Sequence, residues 1–175
     1  LLLFRDWRFG DIWGMFGDSL PDGWGMLLMD RFFRSQRIAP QQVTILDRLA
    51  HLGSKTMGAL TYNPCTDQSP QEKALFDLYT TSQQAHAVIE GETEDVLQEL
   101  LFLGGSPGGA RPKVLIGVKE DTLMAGVNKL PVGYTHWLLK FHAKRDEQEE
   151  GIVEQLYATI ARIAGLDIPP TRLFF

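Results

Sequence analysis

The run Gly104-Gly-Ser-Pro-Gly-Gly-Ala-Arg-Pro-Lys113 does most to limit how this chain can fold. Glycine and proline dominate it, so neither a helix nor a strand can pass through. Before it, apolar residues recur at helical spacing. After it come Val114-Leu-Ile-Gly-Val118 and Thr135-His-Trp-Leu-Leu-Lys-Phe141, both strand-like. The order reads as helix-rich to about residue 103, then loop, strand, strand, helix and strand. That is an α+β fold, divided into residues 1–103 and 104–175.

Helix boundaries are legible from local chemistry. Ser19-Leu-Pro-Asp22 sets a capping hydroxyl three residues before a carboxylate, ahead of the apolar stretch from Trp24 to Phe33. Thr44-Ile-Leu-Asp47 repeats the pattern and predicts a helix stopping at Gly53. Ser69-Pro-Gln-Glu72 predicts another, running to about Ile89 with a stop at Gly91. Thr93 opens a helix carrying Val96, Leu97, Leu100 and Leu101 on one face. Asp146 caps the last, with a stripe of Ile152, Leu156, Ile160 and Ile163 and a stop at Gly165. Met57-Gly-Ala-Leu-Thr-Tyr62 and Arg172 to Phe175 read as further short strands, and Thr122 to Met124 as a turn edge.

Bulk properties exclude several classes. The 175 residues suit one ordinary domain or two small subdomains. A net charge of −5 argues against direct nucleic-acid binding by the whole chain. No apolar run reaches the roughly 18 residues of a membrane span, and the N-terminus lacks the features of a secretory signal. Cys65 is the one cysteine, which rules out an internal disulfide and fits a reducing cytoplasm. The chain starts on Leu1 and stops on the apolar run Leu173-Phe-Phe175, so a piece of a longer protein is expected.

The chemistry-bearing residues cluster late. Glycine-exposed amides in the loop can form an anion nest, with Arg111 and Lys113 adding charge; the same composition also serves as a plain connector. The loop is neither a Walker loop nor a dinucleotide fingerprint. Lys140 alternates with Leu138 on one strand face, while Leu139 and Phe141 take the other. A lysine in that company meets an anion or, as an edge guard, reaches water. Glu154 lies at the margin of the last helix's apolar stripe and is a candidate partner for Lys140. A loop, a strand lysine and a helix glutamate in that order follow the logic of a protein-kinase small lobe. Ser106 reads as a turn serine or as a hydroxyl able to take or touch phosphate. His51, His86, His136 and His142 are scattered, with no metal-ligand spacing and no nucleophile elbow. Trp7, Trp13 and Trp24 read as core anchors.

The chain resembles the HipA-like serine/threonine kinases, the toxins of bacterial toxin–antitoxin pairs. The resemblance rests on Phe16-Gly-Asp-Ser-Leu-Pro-Asp-Gly-Trp-Gly25, the following Leu-Leu-Met-Asp-Arg31, Leu46-Asp-Arg-Leu-Ala50 and Met57 to Tyr62. It continues through Gly105 to Lys113, Trp137 to Phe141 and Gly165 to Leu173. It implies a helix-rich N-terminal subdomain joined to a protein-kinase-like small lobe, with the C-terminal lobe missing. It implies ATP and Mg2+ as cofactors. Lys140 would hold the phosphates, Glu154 would orient Lys140, and Gly108, Gly109, Ala110, Arg111 and Lys113 would cover the nucleotide. Ser106 matches the family's autophosphorylation position, which ejects the loop and switches the kinase off. Expected partners are a helix-turn-helix antitoxin, through which operator DNA is reached indirectly, and a protein substrate such as an aminoacyl-tRNA synthetase. The family's catalytic aspartate, magnesium-binding aspartate and adenine hinge lie beyond Phe175, so no catalytic residue or metal ligand is expected in this chain, and the chain alone is expected to be inactive. The competing expectation is a non-catalytic regulatory module like the HipA N-subdomain, against which the loop and Lys140 argue.

Overall fold

The computed structural model describes residues 12–66, 77–91, 100, 103, 108–125, 130–142 and 149–174. The chain divides into two compact units, Leu1–Phe141 and His142–Phe175. The fold is α+β. Among the described residues of the first unit, helices come first: α1 (Gly14–Gly17), α2 (Gly23–Ser35), a 3-10 turn (Pro40–Gln42), α3 (Ile45–Leu52) and α4 (Leu78–Glu90). A three-stranded antiparallel sheet follows: β1 (Lys113–Lys119), β2 (Thr122–Ala125) and β3 (Thr135–Lys140), in the order β2-β1-β3.

Local chemistry sets several of these ends. The Thr44 hydroxyl accepts the Asp47 N–H at 3.2 Å, and the Asp47 carboxylate accepts the Thr44 N–H at 2.8 Å, closing the expected capping box of α3. The Thr44 hydroxyl also donates to Asp47 Oδ2 at 2.6 Å, and this bond, together with the one from the Thr44 N–H, holds the Asp47 carboxyl below its ordinary pKa. Helix α3 ends at Gly53 and α4 at Gly91, as expected. The start of α4 differs. Asp77 is extended and caps the helix, accepting from Tyr79 N–H at 3.0 Å and Thr80 N–H at 3.1 Å. The bonds to Thr80 hold the Asp77 carboxyl low as well. The start expected at Ser69 lies outside the described residues, as do Thr93, Val96, Leu97 and Leu101. Leu100 and Leu103 are helical and buried.

Helices α2 and α3 share a core of Met29, Phe33, Leu49 and Leu52, with Phe16, Leu20, Phe32, Val43, Ile45 and Tyr62 packed around it. Arg48 ties the pair together by an ion pair to Asp30 at 2.8 Å. Arg31 reaches α4, donating to Val88 O at 2.6 Å. Residues 57–62 are not a strand. Thr56 Oγ1 donates to Leu60 O, and Tyr62 N–H donates to Gly53 O at 2.9 Å, so these polar groups turn the segment back on α3. The Ser19–Asp22 capping box does not form either. Ser19 is buried and its hydroxyl accepts from Tyr62 OH at 2.8 Å, while Asp22 makes no side-chain cap on α2.

In the sheet, Thr122–Ala125 is a full strand rather than a turn edge. Val114, Ile116 and Val118 of β1 share one face with Leu139 of β3 and are buried. Gly117 is on the other face, where Leu130 lies over it: a Cβ there would sit 2.6 Å from a Leu130 methyl. The second unit contains α5 (Glu150–Ile163) and a tail. The cap expected at Asp146 lies outside the described residues, and Gly165 ends the helix as expected. The stripe of Ile152, Leu156, Ile160 and Ile163 is at least half exposed rather than covered. Arg172 to Phe174 are not in a strand. Arg162 holds the tail through Thr171 Oγ1 at 2.6 Å, and the Arg172 guanidinium lies 4.8 Å from the Phe174 ring centroid.

Candidate functional site

The glycine-rich segment enters β1 at Lys113, and the start of α2 holds it there. Instead of capping its own helix, Asp22 accepts the Gly109 N–H through Oδ1. The Trp24 backbone N–H donates to Gly109 O at 3.0 Å. The Trp24 indole Nε1 donates to Lys113 O at 3.0 Å. Pro112 O accepts from Phe141 N–H at 2.9 Å, so Lys113 O, the next carbonyl along, faces away from β3. Among the described residues β2 pairs with β1 as far as Ile116, and the indole takes the Lys113 carbonyl beyond that point.

Between Asp22 and Trp24 only glycine fits. Gly23 has φ +33°, and an added Cβ would stand 2.6 Å from Ala110 Cα and 2.8 Å from Gly109 O. These contacts are with backbone, which cannot swing aside as a side chain can. The corner Asp22-Gly23-Trp24 and the loop therefore meet backbone to backbone.

The structure brings two of the sequence-derived site residues together. Lys113 and Lys140 are directly opposed across β1 and β3, on the same sheet face. The Phe141–Pro112 hydrogen bond makes the adjacent Lys113–Lys140 pair a non-hydrogen-bonded one, the type in which side chains stand closest. Two like charges so placed repel, and an anion between them relieves the repulsion. Their surroundings differ. Lys140 is exposed on β3, while Lys113 is only 6% exposed and its Nζ donates to Gly108 O at 2.5 Å. Gly108 and Ala110 are exposed; Gly109 and Arg111 are half-buried. Glu154 is exposed on α5, in the second unit. Ser106 lies outside the described residues.

The strongly perturbed titratable groups lie away from this loop. His51 is buried against Phe32, with ring centroids 4.3 Å apart, and its pKa falls to about 4 through burial, helped by the charge of Lys55. Burial also lowers Lys55 to about 8, partly offset by Cys65. Cys65 is exposed and forms no disulfide. Among the described residues no group of three His, Cys, Asp or Glu side chains is placed to hold a metal. No helix among them is long and apolar enough to cross a membrane. Trp24 is a core anchor as expected, at 1% exposure. The role of Asp22 and Gly23 was not foreseen. The signal was present in a helix that begins Gly-Trp-Gly against its propensity, a pattern that close backbone approach explains and helix formation does not.

The first unit thus sets a glycine-rich loop at the start of a sheet on which Lys113 of β1 and Lys140 of β3 stand opposed. Residues 5–63 match the family model of the HipA N-terminal domain. The matched stretch covers about a third of the chain and takes in α1, α2, α3 and the segment to Asn63. No curated protein and no solved structure matches the chain. Asp22, Gly23 and Trp24 belong to the matched domain; the loop and the two lysines do not.

Proposed function

We propose that this chain is part of an ATP-dependent serine/threonine protein kinase of the HipA-like kind, contributing its N-terminal domain and a kinase-like small lobe. The observation that carries the proposal is the opposition of Lys113 and Lys140 beside a glycine-rich loop. That donor set suits a polyphosphate: two cations on one sheet face and loop amides nearby. ATP supplies the phosphoryl group to be transferred. In this reading Lys140 and Lys113 bind its phosphates, Gly108 to Arg111 cover them, and Glu154 orients Lys140. No catalytic residue is assigned to this chain. The resemblance assigns the base and the Mg2+ ligands to a C-terminal lobe.

The resemblance adds finer parts to the proposal. These are a protein serine as acceptor, in a target of the aminoacyl-tRNA synthetase type, a helix-turn-helix antitoxin as partner, and a cytoplasmic setting. They also include the division at residues 103 and 104 and autophosphorylation of Ser106. The test is ATP–Mg2+ binding by the complete reading frame, measured by calorimetry, for the native sequence and for Lys140→Ala. Affinity should fall at least about tenfold, the effect of removing one well-placed cation from a phosphate. Equal affinity in the two proteins sinks the role of Lys140. Phosphate on Ser106 after incubation with ATP, read by mass spectrometry, is the expected companion result.

A further inference from the structure

The corner Asp22-Gly23-Trp24 touches the loop through three hydrogen bonds, and each has a different consequence. The Asp22 carboxylate on Gly109 N–H removes one amide from the set that a phosphate could use. The Trp24 N–H on Gly109 O fixes the orientation of the same peptide group. The Trp24 indole on Lys113 O fixes where the loop joins β1. Between these points Lys113 folds back, and its Nζ bonds to Gly108 O at 2.5 Å. A Cβ on Gly109 would collide with that Nζ, so the amino group lies tight against the inside of the loop.

We propose that Asp22, Gly23 and Trp24 form a latch by which the HipA N-terminal domain holds the loop closed on itself, with Lys113 turned inward and withheld from an anionic ligand until the latch opens. The proposal rests on the phosphate-clamp reading for what Lys113 would bind, but the latch itself is a statement about this chain alone. Opening means losing the Asp22–Gly109 bond. The Gly108 carbonyl is then free to move off the Lys113 amino group, and the lysine can turn towards the face it shares with Lys140. Asp22 is exposed and therefore open to competition from solvent or from a partner's donor, whereas Trp24 is buried and serves as the pivot. The domain that carries the family match thus controls a loop outside that match.

The test is the rate at which N-hydroxysuccinimidyl acetate acetylates each lysine in the whole chain, read by mass spectrometry. Exposed Lys119, at the far end of the same strand, is the internal reference. In the native chain Lys113 should react much more slowly than Lys119. Asp22→Ala removes one charge-assisted hydrogen bond from a solvent-exposed position, so the Lys113 rate should rise by about tenfold with Lys119 unchanged. Gly23→Ala should do the same by pushing Ala110 away. If Gly23→Ala fails to fold, Asp22→Ala decides by itself. Equal rates at Lys113 and Lys119 in the native chain, or no acceleration in Asp22→Ala, overturn the latch. Adding ATP–Mg2+ to Asp22→Ala in the complete reading frame separates the two ideas. Protection of Lys113 supports the phosphate clamp, while acceleration without protection keeps the latch and removes the nucleotide.

Discussion

The indole of Trp24 donates to the carbonyl oxygen of Lys113 at 3.0 Å, joining the first turn of α2 to the first residue of β1 across 89 positions of sequence. Trp24 is 1% exposed, so neither partner has water as a substitute. Trp24→Phe keeps most of the ring and deletes the donor, leaving a buried carbonyl unsatisfied. The expected loss is about 1–3 kcal/mol in urea denaturation. A midpoint and slope identical to the native chain would mean that the bond contributes nothing.

His51 makes stability depend on pH in a defined window. Its folded pKa of about 4 lies below the unfolded 6.5. Between those values the unfolded chain binds more protons, so stability falls as pH drops from 6.5 towards 4 and is level above 6.5. The full penalty is on the order of 3 kcal/mol, from 1.36 kcal/mol per pKa unit. Denaturation midpoints at pH 4.5 and pH 7 measure it, and replacing His51 with Gln should flatten the difference. If the His51 ring titrates near 6.5 by NMR, the burial argument fails. Lys55, with a pKa of about 8, works in the alkaline range: its penalty is relieved as pH rises from 8 towards 10.5.

The α2–α3 core separates two leucines of the same helix. Leu52 is 2% exposed inside the cluster with Met29, Phe33 and Leu49, whereas Leu46 is 73% exposed. Leu52→Ala should cost about 2–5 kcal/mol, and Leu46→Ala about 0.5 kcal/mol or less. Paired thermal melts of the two variants check this. Equal shifts would place the core elsewhere.

Much of the fold was legible where the signal is local. The Thr44–Asp47 box, the stops at Gly53, Gly91 and Gly165, and strands β1 and β3 follow from residues within a few positions of one another. So does the alternation that buries Leu139 and Phe141 and exposes Leu138 and Lys140. The errors share a cause. Ser19 and Asp22 have the spacing of a helix cap, yet Tyr62 takes the first and Gly109 the second. Residues 57–62 have strand composition, yet their polar groups bond to Gly53 and within the segment. A polar side chain has few bonds to give, and a distant partner brought up by tertiary packing displaces the nearby one.

The sequence by itself determined the Thr44–Asp47 box, the stops at Gly53, Gly91 and Gly165, strands β1 and β3, the glycine-rich break and the presence of Lys113 and Lys140. Spacing along a chain carries that information because caps, stops and strand alternation are short-range. Only the tertiary structure decided that Lys113 and Lys140 stand opposite each other, since register is a relation between strands and not a property of either. It alone decided that the start of α2 grips the loop, because that contact needs Gly23 to bring two backbones together.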